Sequence, residues 1–237
     1  MYVRGVLSRR DCLSGGDVLK VPSYSADQNV PFWSQRKQAF AEKNTQYREK
    51  EALYMTFQPQ VDLVCLGDSI TQRFIWSDAF PDWRVANRGI GSDTTEGMLA
   101  RVDSVVALSP RVVSVMAGIN DLAQGNSPEQ IAVSYRNLLE ALEQQLPETE
   151  LIVTSILPVT ESHTIPSENI LETNQLLKNL CTEKNILYLD IYSVFLDENG
   201  FLKDKYAFDS VHLTPEGYLL WLSYLGPALN NLELTGQ

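Results

Sequence analysis

A single α/β domain built on a parallel sheet is the fold that this 237-residue chain predicts, and three observations carry the prediction. Short apolar runs recur along the chain, long helical patterns separate them, and no apolar run reaches the roughly 18 residues of a membrane-crossing helix. Strands separated by helices of this length pair in parallel through right-handed crossovers, which leaves helices on both faces. The expected architecture is therefore a three-layer α/β/α sandwich around about five parallel strands.

Residues 1 to 30 carry Ser, Gly, Pro and Asp with no sustained period and read as an irregular arm. Residues 31 to 230 hold no linker or internal repeat and read as one domain, with 231 to 237 as a tail. The domain opens on a helix from about Pro31 to Met55, where Trp33, Phe40, Tyr47 and Tyr54 form one seven-residue stripe. Such a stripe belongs against a core, and together with the arm it also offers a surface for a homo-oligomer. The expected strands are Val61 to Leu66, Trp83 to Asn87, Val112 to Ala117, Leu151 to Leu157 and Ile186 to Ile191. Ser127-Pro128-Glu129-Gln130 is a capping box with proline at the first helical position, and Ile131, Tyr135, Leu138 and Leu142 follow at helical spacing. A further helix covers about Glu168 to Lys184, and the last opens at Thr214-Pro215-Glu216.

Nineteen basic residues against thirty acidic ones leave a net charge of −11 and a pI near 4.6. That field repels a phosphate backbone and an anionic bilayer, which argues against nucleic-acid and membrane partners. Arg4, Arg9 and Arg10 are not followed by an apolar run of signal-peptide type, so a cytoplasmic location is expected. The three cysteines, Cys12, Cys65 and Cys181, are far apart and odd in number, which fits a reducing compartment.

The chemistry starts at the first strand, which runs directly into Gly67-Asp68-Ser69. In an open parallel sheet, ligands bind at the carboxyl edge, so Ser69 is the candidate nucleophile. A serine hydroxyl needs an adjacent base, and the chain has only two histidines, His163 and His212. His212 stands just before the last helix in Asp209-Ser210-Val211-His212, where Asp209 is close enough to turn back and hold the imidazole in one tautomer. His163 follows the fourth strand and reads as a loop or substrate-wall residue. Phe74, Trp76 and Trp83 come soon after the serine turn and fit either a substrate wall or the core. Donors for a developing oxyanion come from two further strand ends. One is the segment Asn87 to Glu96, where Asp93 with Glu96 three residues on reads as a helix N-cap, and the other is Gly118-Ile119-Asn120-Asp121. Gly89-x-Gly91 is no dinucleotide fingerprint, because position 94 is Thr. With no His or Cys cluster in the chain, neither a metal nor a cofactor is expected.

Taken in order, Gly67-Asp68-Ser69-Ile70, the segment Asn87 to Thr95, Gly118-Ile119-Asn120-Asp121 and Asp209-x-x-His212 resemble the four sequence blocks of the SGNH, or GDSL-type, hydrolases. The resemblance covers about residues 61 to 229 and is strongest to the branch that holds platelet-activating factor acetylhydrolase catalytic subunits and carbohydrate O-acetylesterases. It implies a flavodoxin-like SGNH hydrolase fold, with Ser69 as nucleophile, His212 as base and Asp209 as its orienting carboxylate. It further implies an oxyanion hole from the Ser69 amide, the amide of the second block and the Asn120 side chain, with Asp68 and Asn87 in support. The family's oxyanion glycine falls on Ser92, preceded by Gly91, so a positive φ there would be strained. The implied activity is cleavage of short-chain esters, above all O-acetyl groups on a small molecule or carbohydrate. Two alternatives stand beside it: a lysophospholipase or thioesterase acting on longer chains, and a non-catalytic binder of acylated sugars. If His212 is the base, activity falls below the ordinary histidine range near about pH 6.5.

Overall fold

The structure is a computed structural model that describes residues 45–235. The arm, with Cys12 and the stripe residues Trp33 and Phe40, lies outside them. The described chain begins with helix α1 (Thr45–Thr56), which turns its two remaining stripe residues inward. Tyr47 is buried and donates from its hydroxyl to Gly97 O at 2.7 Å, while the Tyr54 hydroxyl donates to Gly89 O at 2.8 Å.

Five strands follow, β1 (Leu63–Gly67), β2 (Val85–Gly89), β3 (Val112–Met116), β4 (Glu150–Thr154) and β5 (Leu187–Leu189), all parallel in the order β2-β1-β3-β4-β5. Each lies at one of the expected apolar runs. The second begins two residues later than its run, and the fourth stops at Thr154, before the run's end at Leu157. The strands read as apolar because the sheet is covered on both sides. Val64, Leu66, Val113, Val115 and Val153 face one core, and Leu63, Cys65, Val112, Met116 and Ile152 face the other, in the strict alternation of a pleated strand.

The first core is closed by α4 (Thr95–Ala100), α5 (Asp103–Val106), α7 (Pro128–Gln145) and α8 (Ser167–Lys184). Helix α7 starts at the anticipated capping box: Gln130 N–H donates to Ser127 Oγ, and Ser127 N–H donates to Gln130 Oε1 at 2.8 Å. The second core is closed by the short helix α3 (Trp76–Ala79) and by α9 (Pro215–Thr235), with Trp76, Tyr218, Trp221 and Leu225 at its centre. Helix α9 continues through Thr235, into the segment read from sequence as a tail, since Leu229 and Leu232 still pack on this core.

Two four- and five-residue helices escape the periodicity because they are too short to show one. They are α2 (Ser69–Gln72) after β1 and α6 (Ile119–Ala123) after β3. Both matter for position. Strand β1 lies between β2 and β3, so the chain reverses its direction of travel across the sheet at β1. The loops that leave the carboxyl ends of β1, β2 and β3 are neighbours at that switch point. Among the described residues, no helix is long and apolar enough to cross a membrane.

Candidate active site

Ser69 is the first residue of α2, directly after the β1 turn. Asp68 caps that helix, its Oδ1 accepting from Ile70 N–H at 2.9 Å. Two contacts bring the helix down onto β2. Gly89 lies so close that a Cβ there would stand 2.3 Å from Gln72 N and 2.6 Å from Gln72 Cα. Asn87 Nδ2 meets the carbonyls of Thr71 at 3.0 Å and Phe74 at 3.0 Å, which anchors the end of the helix, while its Oδ1 accepts from Gly89 N–H at 2.8 Å. Asn87 and Asp68 thus support the turn that presents Ser69.

The Asp209–His212 loop reaches this turn from the far end of the chain. A bridge between Ala207 and Leu213 and the bond from Phe208 N–H to His212 O at 2.8 Å hold the loop in shape. His212 Nε2 lies 2.8 Å from Ser69 Oγ, and His212 Nδ1 lies 2.7 Å from Asp209 Oδ2. Burial pushes the Asp209 carboxyl up, but the N–H groups of His212 and Val211 and the imidazole outweigh it and hold the carboxyl well below the usual carboxylate range. An ionised Asp209 keeps the proton of a neutral imidazole on Nδ1, which leaves Nε2 free to accept from the serine. Arg73, half-exposed, adds a guanidinium 3.5 Å from Asp209 Oδ2.

Beside the serine, the β2 and β3 ends supply N–H groups. Ser92 takes φ 60, the left-handed conformation in which a Cβ crowds the backbone, so that a residue other than glycine is strained there. Ser92 is exposed and still carries a backbone N–H, and Gly91 precedes it. Gly118 turns the chain at φ 119 and so starts α6 immediately, which puts Asn120 in the first turn. Asn120 Nδ2 donates to Asp93 O at 2.9 Å, and an amide nitrogen has a second hydrogen for another acceptor. These groups can bind the oxygen of an attacked carbonyl, and Ser69 with His212 can deliver the nucleophile.

Behind them lies a buried polar layer that sequence reasoning missed. Asp93 is not the cap of α4; Thr94 is, accepting from Gly97 N–H. The Asp93 carboxylate instead pairs with Arg101, Nε to Oδ2 at 2.7 Å, both side chains fully buried. Arg101 Nη2 also donates to Gly67 O at 3.1 Å, so this one guanidinium ties the β1 turn to the β2 loop, and Asp93 O in turn holds Asn120. Asp121 receives both the amide and the hydroxyl of Thr95 and so joins α6 to the start of α4. Burial drives Asp68 up to about 7, with the charges of Asp93 and Asp121 adding to it, and drives Asp93 and Asp121 each to about 6 against their hydrogen bonds. A buried arginine among the residues after the second block leaves no local signal, because its spacing is that of any helical polar residue.

Two of the proposed wall residues lie elsewhere. Trp76 is 2% exposed, donates to Thr71 O at 2.8 Å and packs edge-on against Trp221, so it belongs to the core and is closed to a substrate. Trp83 is also buried. His163 lines a cavity formed by the loops after β4 and β5.

The GDSL-like lipase/acylhydrolase family pattern matches residues 65–220. The platelet-activating factor acetylhydrolase IB subunit alpha2 of Rattus norvegicus is 30% identical over 164 residues, 66% of this chain and 71% of the relative. A GDSL-like lipase from Bacteroides thetaiotaomicron shares the fold with TM-score 0.70 at 24% identity, covering 81% of this chain and 98% of its own. An acetyl-xylooligosaccharide esterase from Geobacillus Stearmophilus shares it with TM-score 0.59 at 20% identity, over 70% and 92% of the two chains. With its five-stranded parallel sheet and its four blocks in order, this chain belongs to the GDSL-like lipase/acylhydrolase family and is a carboxylic ester hydrolase.

Proposed function

We propose that the chain hydrolyses short-chain esters, above all O-acetyl esters, through an acyl-enzyme on Ser69. The observation that carries this reading is the hydrogen-bonded series Ser69 Oγ, His212 Nε2, His212 Nδ1 and Asp209 Oδ2, with its contacts of 2.8 and 2.7 Å. His212 takes the hydroxyl proton as Ser69 Oγ attacks the acyl carbonyl, and Asp209 stabilises the imidazolium. The oxyanion is received by the N–H groups of Ser69 and Ser92 and by Asn120 Nδ2, with Gly91 shaping the loop. The imidazolium then passes its proton to the departing alkoxide. Water, deprotonated by the same imidazole, attacks the acyl-enzyme and releases the carboxylic acid and Ser69. Support for acetyl as the acyl group comes from the relatives, since both the Rattus norvegicus protein and the Geobacillus protein are named for acetyl substrates. The alcohol that carries the acetyl group is, for example, a carbohydrate.

The test is hydrolysis of p-nitrophenyl esters from acetate to decanoate by the wild type, Ser69→Ala and His212→Ala. Rates that fall with chain length and vanish in both variants are expected. Turnover that survives Ser69→Ala refutes the acyl-enzyme, and a maximum at decanoate refutes the short-chain preference in favour of a long-chain acylhydrolase.

A further inference from the structure

The helix that begins at Ser69 ends on a charged residue that the proposed reaction leaves unused. Arg73 caps α2, its backbone N–H donating to Ser69 O at 3.1 Å, and residues four apart share one face of a helix. The arginine therefore stands on the serine's side of α2. Its guanidinium reaches the outer end of the triad, where Nη1 lies 3.5 Å from Asp209 Oδ2. Asp209 does not depend on this cation. It already accepts from the N–H groups of His212 at 2.8 Å and Val211 at 3.0 Å, and it meets the imidazole at 2.7 Å. At 3.5 Å the arginine is beyond the ~2.7–2.9 Å of a charge-assisted hydrogen bond, and both side chains are about half open to solvent, so the pair adds little stability.

What remains of the guanidinium defines a ligand. Its planar fork of N–H groups makes no hydrogen bond among the described residues, and such a fork matches the paired oxygens of a carboxylate. The surroundings accommodate a single negative charge. The chain carries −11 overall and Asp209 stands beside the arginine, so a dianion meets net repulsion, whereas a monoanion is matched by the one guanidinium. Ile75 and Phe208 are large apolar residues left mostly exposed, and each lies within two residues of the Arg73–Asp209 contact along the chain. An organic carboxylate offers an anion for the fork and a hydrocarbon body for such side chains.

We infer that Arg73 is a specificity-determining residue, and that the chain prefers acetate esters whose alcohol part carries a carboxylate. The inference rests on the Ser69 esterase reading and deepens it by assigning the charge of the substrate. An acetyl group has no place for a charge, so the carboxylate belongs to the leaving alcohol. It is held by Nε and Nη2, the edge of the fork that Asp209 does not use, and it departs with the alcohol once the acyl-enzyme has formed. The attraction is the same before and during attack on the ester carbonyl, so it acts on KM rather than on kcat.

The experiment measures hydrolysis of 4-acetoxybenzoate, a monoanion, and of its methyl ester, a neutral molecule with the same ring, by the wild type, Arg73→Gln, Arg73→Lys and Ser69→Ala. The readout is the ratio of kcat/KM for the anion to that for the neutral ester, compared between proteins so that the intrinsic reactivity of the two esters cancels. In Arg73→Gln the ratio should fall about tenfold, through a higher KM for the benzoate, and Arg73→Lys should recover part of it. Raising NaCl to about 0.5 M should lower the wild-type ratio and leave that of Arg73→Gln in place. An unchanged ratio in Arg73→Gln, including a loss equal on both esters, would overturn the assignment while the esterase reading stands. So would wild-type cleavage of the methyl ester with none of the benzoate. Hydrolysis of either ester that survives Ser69→Ala would overturn the esterase reading and the role of Arg73 with it.

Discussion

Replacing Arg101 by methionine separates what the buried pair contributes from what the fold requires. Arg101 and Asp93 are both fully shielded, and burial already lifts the Asp93 carboxyl to about 6 despite the guanidinium. In Arg101→Met the carboxyl loses its counter-charge and takes a proton instead of remaining as an isolated buried anion. The electrostatic loss is then capped by what ionisation was worth in the wild type. With a folded pKa of about 6 and 1.36 kcal/mol per pH unit, that worth is close to zero at pH 5, about 1 kcal/mol at pH 7 and about 3 kcal/mol at pH 8. The sign follows from proton binding. Asp93 has a raised pKa in the folded state, so the wild type loses stability as pH rises from the ordinary carboxylate pKa of about 3.9 to about 6. The variant, with a pKa higher still, goes on losing it above 6. A further loss of about 1 kcal/mol, independent of pH, comes from the bond to Gly67 O, which keeps its second donor, Ile90 N–H. The expected destabilisation is about 1 kcal/mol at pH 5 and about 4 kcal/mol at pH 8, read from urea unfolding at the two pH values. A loss that is equal at both, or larger at pH 5, would refute the buried-pair reasoning.

Ser92→Gly relieves a left-handed residue worth about 1–2 kcal/mol of strain but loosens the unfolded chain, so thermal unfolding should show a net change between zero and about 1 kcal/mol of stabilisation. Because the N–H is retained, kcat on p-nitrophenyl acetate should stay within about twofold. Gly89→Ala drives a methyl group into the backbone of the nucleophile helix, 2.3 Å from Gln72 N, and the helix must move. A displacement of that order costs about a hundredfold in kcat, together with a lower melting temperature, and kcat equal to wild type would contradict the packing described. Asn120→Ala removes one of the proposed oxyanion donors and should lower kcat by about a hundredfold or more with little change in KM, measured on the same ester.

The site was legible in the sequence to the extent that its signals are local. Ser69 follows an apolar run at a Gly-Asp-Ser corner, and Asp209 and His212 lie within one loop, so their pairing needs no knowledge of the sheet. Other features depend on what lies across the fold. Asp93 and Thr94 are both good helix caps, and Arg101 at the other end of the short helix decides between them by claiming Asp93. Trp76 fits a substrate wall or a core equally well until Trp221, 145 positions along the chain, packs against it. The short helices at Ser69 and Ile119 have too few residues to display a period, although the residues they present stand out by type.

The sequence by itself determined the class of the fold and singled out the candidate reactive groups. Alternation within strands, helical spacing between them and the capping box at Ser127 each follow from a few neighbouring residues and the surface they must bury. Only the tertiary structure decided that β1 lies between β2 and β3, that Ser69 meets a histidine 143 residues away, and that Arg101 is buried beneath both the β1 turn and the β2 loop. The physical reason is range. Burial and turn preferences act between residues close in the chain, whereas strand order and the meeting of distant loops come from which apolar faces close together, a choice made by the whole core at once.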